Sequence, residues 1–177
     1  IYVLDSPILT NSQFKKFKKF FSKKIKVIDC TFDIQNSLKD RIEAIREEAE
    51  TAVREGSTCI VLSDKDFSSQ KASIPSILTV GAVHSHLVKH GLRGYCSLNV
   101  ECSDAMDTHS FAILIGVGAT TVNPYLAIDS IYQRFEKKLF GKSDFETCVN
   151  KFKKSIDGGL LKIMSKMGIS VISSYRG

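Results

Sequence analysis

Four consecutive apolar residues, Cys59-Ile60-Val61-Leu62, constrain this chain more than any other segment. The run is too short for a helix, and it does not alternate as a half-buried strand would. It suits a strand buried on both faces, the position that strands take in a parallel sheet covered by helices. The flanks agree. Ser37 opens a helix to about Glu55 in which Leu38, Ile42, Ile45, Ala49 and Val53 form one apolar stripe. Glu47, Glu48, Glu50 and Arg54 lie opposite that stripe, and Gly56 is placed to end the helix. After the strand, Ser63-Asp64 leaves its carboxyl end and a polar loop runs from Asp66 to Ser73. Pro75-Ser76 then starts a helix through Val80, Val83, Leu87 and Val88 to Gly91.

The same alternation extends in both directions. Asn11 caps a short helix to about Phe21, and Lys26 to Phe32, rich in β-branched and aromatic residues, reads as a strand. Tyr95 to Glu101 alternates as a strand, and an apolar helix follows from Ser110 to Val117, begun near Asp107. Ala119 to Val122 is a short strand ended by Asn123-Pro124, and Tyr125 to Phe135 is a helix. Ser143-Asp144-Phe145-Glu146 has the form of a capping box. It opens a helix to Lys166 with Gly158-Gly159 as its weak point, and Gly168 closes it before a last strand, Ile169 to Ile172. Repeated βα units predict an α/β fold, a mainly parallel sheet covered by helices; periodicity fits an open sheet and a barrel-like one equally. The 177 residues are expected to form a single α/β domain, 1–177.

Composition excludes several classes. Hydrophobic residues make up 43% and charged residues 25%, an ordinary globular balance. No run approaches the length a membrane span needs, and Ile1 to Asp5 has neither an initiator Met nor the basic and apolar regions of a signal peptide. No membrane association is expected. The five cysteines, Cys30, Cys59, Cys96, Cys102 and Cys148, include no C-x-x-C pair, and most sit in apolar runs as small hydrophobes. This predicts a reducing, cytoplasmic setting without disulfides. The net charge of +6 concentrates in lysines at 15–26 and 137–166. Phe14, Phe17, Phe20 and Phe21 recur among the first group at helical spacing, so they should face a core, and no nucleic-acid partner is expected.

No catalytic constellation emerges. His86 and His90 share a helix face, but Leu87 stands where the metalloprotease motif needs Glu, and no third ligand lies nearby in sequence. Gly116-Val117-Gly118 follows a helix and precedes a strand, the reverse of a dinucleotide fingerprint, and reads as a tight turn using positive φ. Gly141-Lys142-Ser143 is only the tail of a phosphate-binding loop. Ser63-Asp64 and Asp104 to Asp107 follow strands, where α/β proteins place ligands, yet loop and N-cap chemistry accounts for them equally. Catalytic, cofactor-binding and metal residues are therefore expected to be none.

Several segments nevertheless carry a resemblance. They include Ser6-Pro7-Ile8-Leu9, Leu62-Ser63-Asp64, Ile74 to Leu78 with Val80 to Leu87, and Gly91-Leu92-Arg93. Further on come Thr108 to Gly116, Asn123 to Ala127, Gly159 to Ser170, and Ser173 to Gly177. In this order they resemble the central domain of the glutamate synthase large chain, in its C-terminal part, over essentially the whole sequence. The resemblance implies a segment of an oxidoreductase that makes glutamate from glutamine-derived ammonia and 2-oxoglutarate. FMN and a 3Fe-4S cluster would belong to the full-length enzyme and to no residue here. The implied partners are the amidotransferase and FMN-barrel domains of the same chain, and a fragment cut free of them would self-associate through exposed docking surface. No catalytic residue of the family maps onto this stretch, so a scaffold role is implied. The alternative is a stand-alone α/β small-molecule or phosphate-binding enzyme.

Overall fold

The computed structural model describes residues 2–176; Ile1 and Gly177, the outer ends of two of the segments above, lie outside the described residues. Four parallel strands form the central sheet in the order β1 (Ile25–Asp29), β3 (Cys59–Ser63), β5 (Ser97–Glu101), β6 (Thr121–Asn123). The sheet is open rather than closed into a barrel. Cys59 to Ser63 is buried at every position, as its continuous apolar run requires. Each crossover advances one strand in the same direction, through α2 (Leu38–Arg54), α3 (Ser76–Lys89) and α4 (Thr108–Gly116). Crossovers of one hand then place all three helices on one face. Alternate strand residues bear this out: Ile28, Ile60, Leu62, Leu98, Val100 and Val122 join the core beneath those helices. Cys59 and Val61 point the other way, onto Leu9 and onto Phe14 and Phe17 of α1 (Asn11–Phe20). The phenylalanine spacing thus reads correctly for Phe14 and Phe17, while Phe20 is exposed.

Three expectations are corrected. Lys26 to Phe32 is two strands, because the chain bends at Cys30 and β2 (Thr31–Asp33) leaves to pair antiparallel with β4 (Lys71–Ser73). The bend is held by Arg41 of α2, which donates to the carbonyls of Asp29 and Thr31, and by the Asp29 side chain, which accepts from Thr31 N at 2.9 Å. Ile169 to Ile172 is not a strand; a 3-10 turn follows at Ile172–Tyr175. The outer edge of β6 is taken by the N-terminal segment, where Ile8 pairs with Val122 and Leu9 N donates to Val122 O at 2.9 Å. Two caps shift by one residue. Thr10 rather than Asn11 forms a capping box with Gln13, and Asp144 rather than Ser143 caps the last helix by accepting from Thr147 N.

That helix, α6 (Phe145–Met167), runs unbroken through Gly158-Gly159 and ends on Gly168 at φ +70°, the left-handed residue that a helix C-terminus favours. It packs on α4 and on α5 (Tyr125–Glu136). A Cβ on Gly159 would sit 2.5 Å from Thr108 Cγ2, whereas one on Gly158 would meet nothing within 4 Å. Gly158→Ala should therefore raise stability by roughly 0.5–1 kcal/mol through helix propensity. Gly159→Ala should lower it by about 1–2 kcal/mol, as overpacking at the α4 contact outweighs the same propensity gain. Urea unfolding of the two variants checks both signs.

Candidate functional site

In a parallel α/β sheet the carboxyl ends of the strands are the place where ligands bind. Here that edge is polar and buried. Glu101 ends β5 at 5% exposure and accepts from Ser63 Oγ at 2.9 Å and from Lys18 Nζ at 3.2 Å, with Lys65 Nζ at 3.8 Å. Asp64, one residue past β3 and 2% exposed, accepts on Oδ2 from Ser73 Oγ at 2.8 Å, Ser103 N at 3.0 Å and Ser103 Oγ at 2.5 Å. Tyr125 lies beside it. Burial first, and then the Asp64 carboxylate, pushes its phenol well above the ordinary value, and Lys65 sits 5.4 Å from the centre of its ring. The Tyr125 hydroxyl and Asp64 Oδ1 are both buried without completing a hydrogen bond.

The polar row continues down the α1 side of the sheet. Thr121 Oγ1 donates to Asn99 Oδ1 at 2.8 Å, and Asn99 Nδ2 donates to Ile60 O at 3.0 Å. Asn123 Nδ2 donates to Leu9 O at 2.9 Å, tying the N-terminal segment to β6. The alternation from Tyr95 to Glu101 reads as a strand, but nothing in sequence says that α1 and the N-terminal segment cover its polar face and leave Asn99 and Glu101 buried.

The two acidic loops singled out by position divide between these roles. Ser63-Asp64 belongs to the network. Asp104 instead accepts from Ser76 N at 2.9 Å and from Ser76 Oγ at 2.7 Å, holding the start of α3 where Pro75 supplies no side-chain cap. Asp107 caps α4, accepting from Ser110 N at 2.8 Å, and its bonds from Ser110 hold its carboxyl below the usual range. Asp64, Glu101, Asp104 and Asp107 are thus all engaged by donors of the fold itself.

At the opposite edge, Arg93 is the tie. Its Nε donates to His84 Nδ1 at 3.0 Å, Nη1 to Cys96 O at 2.7 Å and Nη2 to Gly118 O at 2.8 Å, joining α3 to the turns before β5 and β6. Arg176 adds a bond to Ala119 O at 3.1 Å. Gly118 has φ +120°, so the turn expected at Gly116-Val117-Gly118 does use positive φ. Burial lowers the His84 pKa, and the two arginines lower it further.

His86 and His90 do share a face of α3, their ring centres 4.3 Å apart. The sequence lacked a third ligand, and the structure supplies Glu50 from α2, with Oε2 2.6 Å from His86 Nε2 and 3.8 Å from His90 Nδ1. The helical period puts Glu50 on the solvent face; it stands instead on the side of α2 that turns toward α3. Hydrogen bonds from Arg54 and then from His86 keep its carboxyl below the ordinary value. All five cysteines are free and buried. Burial raises the thiol pKa of Cys59 to about 11 and that of Cys30 to about 12, so neither is a nucleophile near neutrality. No helix among the described residues is long and apolar enough to cross a membrane.

Comparison with known proteins accords with the resemblance. The family model of the glutamate synthase central domain matches residues 1–177. The chain is 49% identical over 177 residues to the glutamate synthase [NADPH] large chain of Azospirillum brasilense, covering 98% of this chain and 12% of that protein. It is 41% identical over 180 residues to the corresponding large chain of Bacillus subtilis (strain 168), with 98% and 11% covered. It is 38% identical over 190 residues to the chloroplastic ferredoxin-dependent glutamate synthase of Spinacia oleracea, with 99% and 12% covered. The chain thus spans about an eighth of the length of these relatives.

Proposed function

Because the chain belongs to the glutamate synthase central-domain family, we propose that it is the connecting, non-catalytic segment of a cytoplasmic enzyme that makes glutamate from glutamine-derived ammonia and 2-oxoglutarate. In this reading residues 1–177 fold as one α/β unit between two reaction centres. One is an amidotransferase domain that frees ammonia. The other is a barrel domain that carries FMN and a 3Fe-4S cluster and performs the reduction. The segment fixes the distance between them and helps wall the passage, so that ammonia arrives concentrated and is not lost to solvent. Its partners are those two domains of the same chain, with no nucleic acid and no membrane.

The observation that carries this reading is the state of the strand-end carboxylates. Asp64, Glu101 and Asp104 are each held by donors from other elements of the fold, which is what a rigid spacer requires. Docking surface is at hand as well. β1 is the outer strand of the sheet, and Val27 on it is exposed, as is Phe20 at the end of α1. An open parallel edge with apolar neighbours is normally covered. The isolated chain is expected to self-associate with rising concentration in sedimentation, and a monomer throughout would count against docking through this surface.

The function is tested by mixing the purified chain with FMN, recording the flavin spectrum after gel filtration, and assaying glutamine plus 2-oxoglutarate. No retained flavin and no glutamate are expected. Retained flavin or turnover would move the chemistry into these residues and favour the stand-alone enzyme.

A further inference from the structure

Two imidazoles and a carboxylate meeting at a helix pair are a donor set with a definite chemistry. His86 lies in the last turn of α3 and His90, four residues on, is its C-cap; the packing of α2 on α3 brings Glu50 to them. One nitrogen of each ring and one Glu50 oxygen all lie within 4.8 Å of one another. We propose that Glu50, His86 and His90 bind a divalent transition-metal ion of the zinc class, bridging α2 and α3.

The geometry is close to what such an ion needs. With metal–ligand bonds of about 2.0–2.1 Å, ligand atoms of a tetrahedral site stand roughly 3.3 Å apart. The separations of 2.6 Å and 3.8 Å from Glu50 Oε2 to the two rings fall on either side of that value. Each departs from it by less than about 1 Å. In the proposed site His90 Nδ1 exchanges its contact with the His86 carbonyl, at 2.8 Å, for the ion. The backbone beneath is fixed, since Ala49 of α2 and Leu87 of α3 are fully buried in the core on either side of the ligands.

The carboxylate is also oriented from outside. Arg54 occupies Oε1, with Nε at 2.8 Å and Nη2 at 2.7 Å, and leaves Oε2 to the imidazoles. An outer partner that fixes a ligand in this way is the usual support of a metal site. Its positive charge opposes a cation, which is why the ion is placed among those that bind imidazole strongly rather than among oxygen-seeking calcium or magnesium. Side-chain exposures of 13% for His86, 20% for Glu50 and 34% for His90 give a solvent route in, with room for water as the fourth ligand. The site lies at the carboxyl ends of α2 and α3, across the sheet from the strand-end network, and is independent of the spacer role.

The probe is cobalt(II), whose visible d–d bands intensify in tetrahedral sites. The chelator-stripped chain is titrated with Co2+ and then with Zn2+, alongside Glu50→Gln, His90→Gln and, as a control outside the cluster, His109→Gln. Far-UV circular dichroism verifies that each is folded. His90 is the most exposed ligand and the least able to disturb packing. The expected result is a saturable band at about one Co2+ per chain, displaced by Zn2+. It should be unchanged in His109→Gln and weakened about tenfold or more in the other two variants. Absence of a saturable band, or a band that Glu50→Gln and His90→Gln both retain, overturns the proposal; the second outcome would place the ion elsewhere.

Discussion

Replacing Gly118 by alanine should destabilise the chain by about 3–4 kcal/mol, read as a lower urea midpoint with an unchanged slope. Two costs add. At φ +120° an L side chain is strained, on the order of 1–3 kcal/mol. The new Cβ would also sit 2.3 Å from His84 Nδ1 and 2.4 Å from His84 Cγ, so the imidazole must leave its place. Moving it removes the acceptor of Arg93 Nε, and the damage spreads from one turn to the whole junction. His84 of α3, the start of β5 and the entry to β6 are all tied by that guanidinium.

Arg93→Met is expected to cost about 2–3 kcal/mol, and Arg93→Lys most of that. Charge-assisted hydrogen bonds contribute roughly 1.5–3 kcal/mol each when an acceptor would otherwise be stranded. The carbonyls of Cys96 and Gly118 both lose a donor. The total stays below the sum because the adjoining cavity of about 460 Å³, lined in part by His84, Ser97 and Thr120, admits water to the stranded groups. Lysine keeps the charge, but one ammonium cannot span His84, Cys96 and Gly118 as the planar fork does. Since Gly118→Ala already detaches His84 from Arg93, the double variant Gly118→Ala/Arg93→Met should be less unstable than the two losses added together. Strict additivity would show that the two residues act independently.

How much of this was legible beforehand follows from what a local pattern can carry. Cys59 to Ser63 announced itself because full burial on both faces leaves an unbroken apolar run. The stripe of α2 held for Ile45, Ala49 and Val53, all buried beneath the sheet face it covers. The split at Cys30 was not legible, because it is imposed by Arg41 from a later helix. Lys71–Ser73 is too short and polar to signal a strand and exists only through its pairing with β2. Val171 and its neighbours have strand composition, yet it is the segment at Ile8 and Leu9 that lies along the outer edge of β6.

The sites divide in the same way. Asp107 and Asp144 as helix caps follow from local spacing, with Asp144 only one residue from the expected cap. His86 and His90 were visible as a pair because four-residue spacing is a property of one helix. Glu50 joins them only when two helices pack, and its helical period alone placed it on the wrong side. The Asp64–Ser103–Tyr125 network draws on three strand ends, and no spacing rule connects residues so far apart in the chain.

The central claim is that the buried carboxylates at the strand ends serve the fold and not a reaction. The most direct test is glutamine-dependent glutamate formation by a full-length glutamate synthase carrying this segment with Asp64→Asn or Glu101→Gln, assayed below the unfolding temperature of each variant. If the account holds, kcat stays within about threefold of wild type while the melting temperature falls. Removing a general acid or base costs on the order of 10²–10⁴ in rate. A loss of that size in a variant that remains folded would contradict the account and make the strand-end network an active site.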